Sequence, residues 1–304
     1  MLRVTSNMMN SQMMLNLNRN AQKMNNTQLQ LATGKKINKP SDDPVGITYA
    51  LRYRAELASN EQYQKNVDSA ISWLEFNDTV LDQAGSVLQK VRELSVQAAT
   101  GSNPQSALDS IKEEMSQLKE QLVDIANSTL NGKYVFNGQE YDKKPYDFAS
   151  NINGILDPSV YNGSTDSGSI QYTVGDGVQL SINVTGNDVF GSGQDSVFML
   201  MDRLNDALSK GEYGKISDEL GNIDSRMDQI LSTRAEVGAK TNRIELLQGR
   251  LGDLEVNLTE LQAKTEDANY AELIMLSKIQ ENIYNASLSA GARIIQPSLV
   301  DFLR

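Results

Sequence analysis

Cysteine and histidine are both absent from this chain of 304 residues. Without them there is no disulfide framework, no thiolate nucleophile, and no imidazole to act as a general base or zinc ligand. Carboxylate or Ser–Lys chemistry stays open on composition alone. A thiol-free chain also suits passage across a membrane in the unfolded state, with folding afterwards. Long apolar runs are missing too. None approaches the ~20 residues that span a bilayer, so no membrane partner is expected. Arg3 near the N-terminus is not followed by an apolar stretch of about 7–15 residues, and a cleavable secretory signal is not expected. Clustered cations are scarce: 28 Lys and Arg stand against 39 Asp and Glu, a formal charge of −11. Sequence-independent nucleic-acid binding, which needs clustered Lys and Arg against phosphate, is therefore not expected. Acidic residues are missing from residues 1–41, which carry Arg3, Arg19, Lys23, Lys35, Lys36 and Lys39; the first carboxylate is Asp42. The last 53 residues, from Gly252, hold eight acids against four bases. Ends of opposite charge attract weakly and favour pairing.

What the chain has is heptads. One block runs from Val45 to about Asn127 and another from about Asp195 to Ala290. Neither can bury its apolar stripe alone, so the two are expected to pair. The expected fold is mainly α with a β-rich insert: a long antiparallel helical-bundle rod formed by the N- and C-terminal segments, with a small β domain in the middle. The expected divisions are an N-terminal arm at 1–40, the first half of the rod at 41–132, the insert at 133–194, the second half of the rod at 195–267, and a C-terminal arm at 268–304.

In the first arm Leu17, Met24 and Leu31 recur every seven residues. The segment is rich in Asn, which prefers caps and turns to helix interiors, and is marginal alone. It is expected to be mobile in a free monomer and to order on assembly. Ser41-Asp42-Asp43-Pro44 reads as a helix start, with Asp43 at the N-cap and Pro44 in the first turn. Val67, Leu74, Leu81 and Leu88 then mark one heptad position. Ala70, Ala84, Val91 and Ala98 mark another, interrupted by Asn77. Thr100-Gly101-Ser102-Asn103-Pro104 reads as a reverse turn between helices. The returning helix repeats Leu108, Ile111, Met115, Leu118, Leu122 and Ile125 in steps of three and four.

Texture changes near Asn131. Tyr134-Val135-Phe136 lies between two Asn-Gly turn signals, and Gly175-Asp176-Gly177 separates two short strands. Helical pattern returns with Val197, Leu200, Leu204 and Leu208, and Lys210-Gly211 closes that piece. It resumes through Ile216, Leu220, Ile223, Met227, Ile230 and Val237. Ile244, Leu247, Leu251, Leu254, Leu258 and Leu261 read as a leucine-rich seam. Gly238, Gly249 and Gly252 lie inside it, each costing ~1 kcal/mol relative to Ala in a helix interior, and imply close helix contact or a bend. Leu276, Ile279, Ile283, Ala286 and Ala290 mark the last helix, which is expected to end before Pro297. An apolar tail with Leu299 and Phe302 follows.

The expected rod core is Val67, Leu74, Leu81, Leu88, Leu108, Ile111, Met115, Leu118, Leu122, Ile244, Leu251, Leu254 and Leu258. The expected assembly interface of the arms is Leu17, Met24, Leu31, Leu276, Ile279, Ile283, Leu299 and Phe302. Gln89, Arg92 and Leu94, on a charged face beside the seam, are a candidate subunit contact. No catalytic, cofactor or metal residues are expected. Gly191-Ser192-Gly193 lacks the strand before it and the GK[ST] after it that a phosphate loop needs. Asp157, Asp166, Asp176 and Asp188 lack calcium-loop spacing.

Leu31-Ala32-Thr33-Gly34-Lys35-Lys36-Ile37-Asn38 and Ser41-Asp42-Asp43-Pro44-Val45-Gly46 resemble the front-end motif of bacterial flagellins and their relatives. Leu88 to Gly101 is similar to flagellin as well, including the region read by an innate immune receptor, with Lys90 where arginine is usual. Three features resemble the hook-associated protein 3 family, which forms the distal hook–filament junction, more than flagellin proper. They are the Pro40/Pro44 form of the acidic motif, Asn131 to Gly138, and Arg234 to Lys240 leading into Asn242-Arg243-Ile244-Glu245. The resemblance covers roughly 1–140 and 195–304. It implies a non-enzymatic structural subunit, exported unfolded by the flagellar type III apparatus and placed extracellularly. It implies self-association into a ring between hook-associated protein 1 and flagellin, with both arms forming inner coiled coils. It also implies contact of the C-terminal tail with a flagellar export chaperone. The alternatives are a flagellin-type filament subunit and a non-flagellar coiled-coil adaptor.

Overall fold

Heptads decide the architecture. A computed structural model describes residues 6–101, 103–147 and 165–295, and the chain divides into two compact units, Asn60–Gly252 and Met1–Ser59 with Asp253–Arg304. The helices are α1 (Ser6–Thr33), α2 (Pro44–Ala99), α3 (Gln105–Ala126), α4 (Gly186–Phe190), α5 (Val197–Lys210), α6 (Tyr213–Glu266) and α7 (Tyr270–Ile295). Four short strands lie between α3 and α4: β1 (Thr129–Leu130), β2 (Lys133–Tyr134), β3 (Gln171–Gly175) and β4 (Val178–Ser181). Both α2 and α6 contribute to both units.

The unit Asn60–Gly252 is a helical bundle with its strands at one connection. On α2, Val67, Leu74, Leu81 and Leu88 are buried, as are Ala70, Ala84, Val91 and Ala98. On α6 the buried row is Ile216, Ile223, Ile230, Val237, Ile244 and Leu251, one residue in every seven. That strict period is what a seam between supercoiled helices requires. The two helices run antiparallel, as their cross-links show. Asn60 Nδ2 donates to the Leu251 carbonyl at 3.0 Å, and Gln248 Nε2 to Asp68 at 2.8 Å. Arg234 spans Asp78 and Asp82, and Arg92 Nε donates to Asp224 at 2.6 Å. A second antiparallel pair, α3 with α5, is tied by Gln105 to the Leu208 carbonyl and by Lys119 to Asp202.

Between α2 and α3 the chain reverses at Gly101, whose φ of +68° is left-handed and so favours glycine over any residue with a Cβ. Asn103 Nδ2 closes the last turn of α2 by donating to the Gln97 carbonyl at 2.7 Å. Pro104 stands at the N-cap of α3, one position ahead of the first helical turn. Gly211, also left-handed, caps α5.

The Asn131-Gly132 turn joins β1 to β2 with both residues at positive φ, as a two-residue type I′ hairpin needs. The expected strand through Phe136 is shorter than the sequence implied. Val135 and Phe136 leave the ladder and turn inward, both buried. There Phe136, Tyr146, Phe190 and Phe198 form an aromatic cluster with neighbouring ring centroids 5.2–5.8 Å apart. Burial pushes the Tyr146 hydroxyl pKa up, the Thr165 hydroxyl opposing. The second hairpin pairs β3 with β4 around Asp176-Gly177, with a bulge between Thr173 and Gly175. Asn66 on α2 donates to the Thr173 carbonyl at 2.7 Å. The aromatic cluster and the helix seams form one continuous core from Val67 to Leu251.

The other unit contains α1, the first turns of α2, the last turns of α6, and α7. The connector between α1 and α2 is built on two aspartates. Asp43 Oδ1 accepts from the N–H groups of Val45 and Gly46, an N-cap on α2. Asp42 Oδ2 instead accepts from Asn38 and Lys39, holding the loop. A Cβ on Gly46 would stand 2.3 Å from Asp43 Oδ2 and 2.6 Å from Ile37 Cδ1, so a larger residue there would have to push the capping carboxylate and Ile37 aside. Its described apolar core is small: Ile37, Ala50, Leu258 and Leu273.

Candidate assembly surfaces

The helices α1 and α7 pack against each other. On α1 the more protected row runs Asn10, Met13, Leu17, Asn20, Met24, Thr27 and Leu31, in steps of three and four. On α7 the corresponding row is Leu273, Ser277, Gln280, Tyr284, Ser287 and Gly291. Asn20 Nδ2 donates to Ser287 Oγ at 3.2 Å, and Met13 lies so close to Gly291 that a Cβ there would meet its Cε at 2.7 Å. The pair is therefore antiparallel, and small and polar residues dominate the α7 side.

That choice leaves the apolar heptad of α7 outside. Leu276, Ile279 and Ile283 are 36%, 45% and 46% exposed, and Ile274, Met275 and Leu288 are exposed as well. Leu17, Met24 and Leu31 lie half-buried in the α1–α7 row. The predicted pair Leu299 and Phe302 lies outside the described residues. Sequence reasoning missed further apolar side chains on this unit: Val45, Tyr49 and Leu51 on α2, and Val256 on α6, are all exposed. The signal was available in Val45 and Tyr49, one helical turn apart. Tyr49 stacks on Tyr53 with centroids 6.4 Å apart.

Two expectations are corrected here. Leu254 is 43% exposed rather than part of the core, and Leu261 is equally exposed. The buried row continues from Ile244 through Leu251 to Leu258, and a residue three beyond each of these sits on the helix flank. Leu94 is only 4% exposed, in a row with Trp73, Val80 and Val87, so it packs inside and cannot face a neighbouring subunit. Arg92 is engaged within the chain by Asp224, which holds the guanidinium pKa above its ordinary value, chiefly through that hydrogen bond. Gln89 is exposed. Of the remaining core expectations, Leu118 is half-buried, and Val67, Leu74, Leu81, Leu88, Leu108, Ile111, Met115, Leu122, Ile244, Leu251 and Leu258 are buried.

The glycine-rich stretch Gly191-Ser192-Gly193 serves a helix. It leads to Ser196, whose hydroxyl accepts from the Phe198 N–H at the start of α5. Among the described residues no group of three or more His, Cys, Asp or Glu side chains is placed to hold a metal, and no described helix is long and apolar enough to cross a membrane. Asp157 lies outside the described residues.

Long heptad helices with an outward apolar stripe, on a unit with little core of its own, define a class: a helical subunit built for assembly with other chains. The comparisons place it more closely. Residues 4–141 match the family model of the bacterial flagellin N-terminal helical region. Flagellar hook-associated protein 3 of Salmonella typhimurium is 24% identical over 301 residues, covering 94% of this chain and 95% of that protein. Flagellin of Bacillus subtilis is 27% identical over 252 residues, covering 80% of this chain and 79% of that one. A solved flagellar hook-associated protein from Vibrio parahaemolyticus shares the fold with a TM-score of 0.67 at 21% identity, over 74% of this chain and all of that one. The chain thus carries a region similar to the flagellin N-terminal helical region, and over most of its length it is similar to the hook-associated proteins 3 of the bacterial flagellum.

Proposed function

We propose that this chain is the junction subunit between hook and filament, and that the outward stripe of α7 is covered only in the assembled ring. The carrying observation is the reversed pairing of the arms: α1 takes the small, polar side of α7 and leaves Leu276, Ile279 and Ile283 in water. A lone monomer gains little from that arrangement, because Ser277, Gln280 and Ser287 take the protected side while Leu276, Ile279 and Ile283 meet water. Neighbouring arms, packing as inner coiled coils, gain the burial of that stripe.

In this reading residues 1–40 and 268–304 are the assembling arms, 41–132 and 195–267 form the two halves of the rod, and 133–194 faces outward. Hook-associated protein 1 lies on one side of the ring and flagellin on the other, and the first flagellin subunits are templated on it. The chain is exported unfolded with the help of a flagellar export chaperone and resides outside the cell. It performs no catalysis. Near-full-length similarity to hook-associated protein 3 supports this reading over a filament subunit; the flagellin similarity covers less of the chain and keeps that second reading in view.

A deletion strain tests it. The expected result is flagellin shed into the medium from cells with intact hooks, restored by the wild-type chain and not by an Ile279→Ser/Ile283→Ser variant. Normal filaments in the deletion strain would overturn the junction role. Long filaments grown from the purified chain would favour the flagellin reading.

A further inference from the structure

Where α1 ends and α7 begins, four segments of one unit meet at a carboxylate. Glu266 closes α6 and is the only charged side chain among the described buried residues. Its Oε2 accepts from Arg54 Nη2 on α2 at 2.6 Å and from Lys35 Nζ at 3.0 Å, while Oε1 is buried without a hydrogen-bond partner. Lys35 Nζ also reaches Asp267 Oδ1 at 2.8 Å. The backbones are stitched at the same place: the Lys36 N–H donates to the Glu266 carbonyl at 2.7 Å and the Ala268 N–H to the Gly34 carbonyl at 3.0 Å. Lys36 Nζ donates to the Lys264 carbonyl. Gln30, in the last turn of α1, donates to the Lys36 carbonyl.

We propose that Glu266, Arg54 and Lys35 form a charge clasp that locks the departure of α1 and α7 together, so that the two arms are held or released as one element. The chemistry favours an all-or-none device. A buried carboxylate is tolerated only while paired, and removing Arg54 or Lys35, both partly exposed, leaves the buried Glu266 charge short of a partner. Only Asp267, Ala268 and Asn269 separate α6 from α7, so a change at Glu266 is transmitted directly to the arm. Burial opposes the Glu266 charge, but the hydrogen bonds and attraction of Arg54 and Lys35 outweigh it and hold the carboxyl below its ordinary value. The charged groups around it are Arg54 from α2, Lys35 and Lys36 from the α1–α2 connector, Lys264 on α6, and Asp267. The sign follows: a depressed carboxylate stabilises above its unfolded pKa, and that contribution is lost as pH falls through the folded value. The clasp is closed at neutral pH and opens on acidification.

Amide exchange of the full-length monomer, followed segment by segment, tests this without reference to assembly, so its failure and the failure of the junction role are distinguishable. In Glu266→Gln and in Arg54→Gln, exchange across both 6–33 and 270–295 is expected to accelerate roughly tenfold or more, with α3 and α5 unchanged. The double variant should be no faster than the faster single one, as for residues acting as a pair. Arg52→Gln, which removes an exposed pair with Glu56 on the same helix, should change nothing. Acidification should loosen the wild-type arms and leave Glu266→Gln flat. Loosening of one arm alone, equal loosening of α3 and α5, or unchanged exchange in Glu266→Gln would each overturn the proposal.

Discussion

Between Asn60 and Gly252, α2 and α6 bury an apolar residue at every heptad; outside those limits the same helices leave Val45, Tyr49, Leu51, Leu254, Val256 and Leu261 in solvent. All the exposed large apolar side chains of the described residues except Val96, Leu231 and Leu246 belong to the unit that holds the two arms. The continuous core, in turn, lies wholly in the other unit. Along α2 and α6 the sequence pattern does not distinguish these regions, because the heptads run through both. What differs is the supply of partners within the chain. In the bundle, α3 and α5 complete the cover; in the arm unit α1, α7 and the ends of α2 and α6 bury only Ile37, Ala50, Leu258 and Leu273 among the described apolar residues. One region is finished as folded; the other, in the proposed reading, is finished by neighbours.

The sharpest way to break this contrast is to truncate matched aliphatic side chains on its two sides. Leu81 is fully buried, and Leu81→Ala should cost about 2–5 kcal/mol, as cavity-forming substitutions do; urea unfolding followed by circular dichroism measures it. Ile279→Ala should change monomer stability by less than about 0.5 kcal/mol while abolishing junction formation in cells. A large stability loss from Ile279→Ala would show that the arms have an internal core after all, and the contrast would fail.

Much of this was readable in the sequence, and the failures have physical causes. The period of seven in Val67, Leu74, Leu81 and Leu88 and the capping signals at Asp43-Pro44 and Gly211 are local, and local rules decide them. Leu254 was misread because periodicity names a stripe but not what lies across from it. Leu94 was misread for the complementary reason. Two stripes were sought on α2, whereas three are buried, the third being Trp73, Val80, Val87 and Leu94, since more than one helix packs on it. The stripe of α7 through Leu276, Ile279 and Ile283 was legible; that α1 would decline it for Ser277, Gln280 and Ser287 was not. The clasp left no mark at all, because Arg54 and Glu266 lie 212 residues apart, and neither stands out among exposed charges.

A smaller effect probes the finished side. Asn77 occupies the small-residue row of Ala70 and Ala84, is 0% exposed, and its Oδ1 has no hydrogen-bond partner. Its amide donates only within its own helix, to the Trp73 carbonyl. Asn77→Ala should therefore stabilise the chain by about 1 kcal/mol by removing an unsatisfied buried acceptor. A loss of stability instead would mean that the amide fixes helix register, as a buried polar residue in a seam can.

The smallest expected change concerns Gly238 and Gly249. Both lie inside α6, which runs unbroken from Tyr213 to Glu266, and a Cβ at either position would meet no heavy atom within 4 Å. The close contact that such glycines imply is therefore absent from the folded chain, and the helix is not interrupted at either. Nothing within the bundle opposes alanine, and each Gly→Ala substitution should raise stability by about 0.5–1 kcal/mol through helix propensity and reduced freedom of the unfolded chain. Gly238→Ala and Gly249→Ala, more than two turns apart, should add. Thermal unfolding measures the gain, and complementation of the deletion strain measures its consequence. A more stable chain that still builds junctions would leave the bundle's flank with no further role. A more stable chain that no longer builds them would move the boundary of the comparison, because part of the finished unit would then also be reserved for a neighbour's close approach.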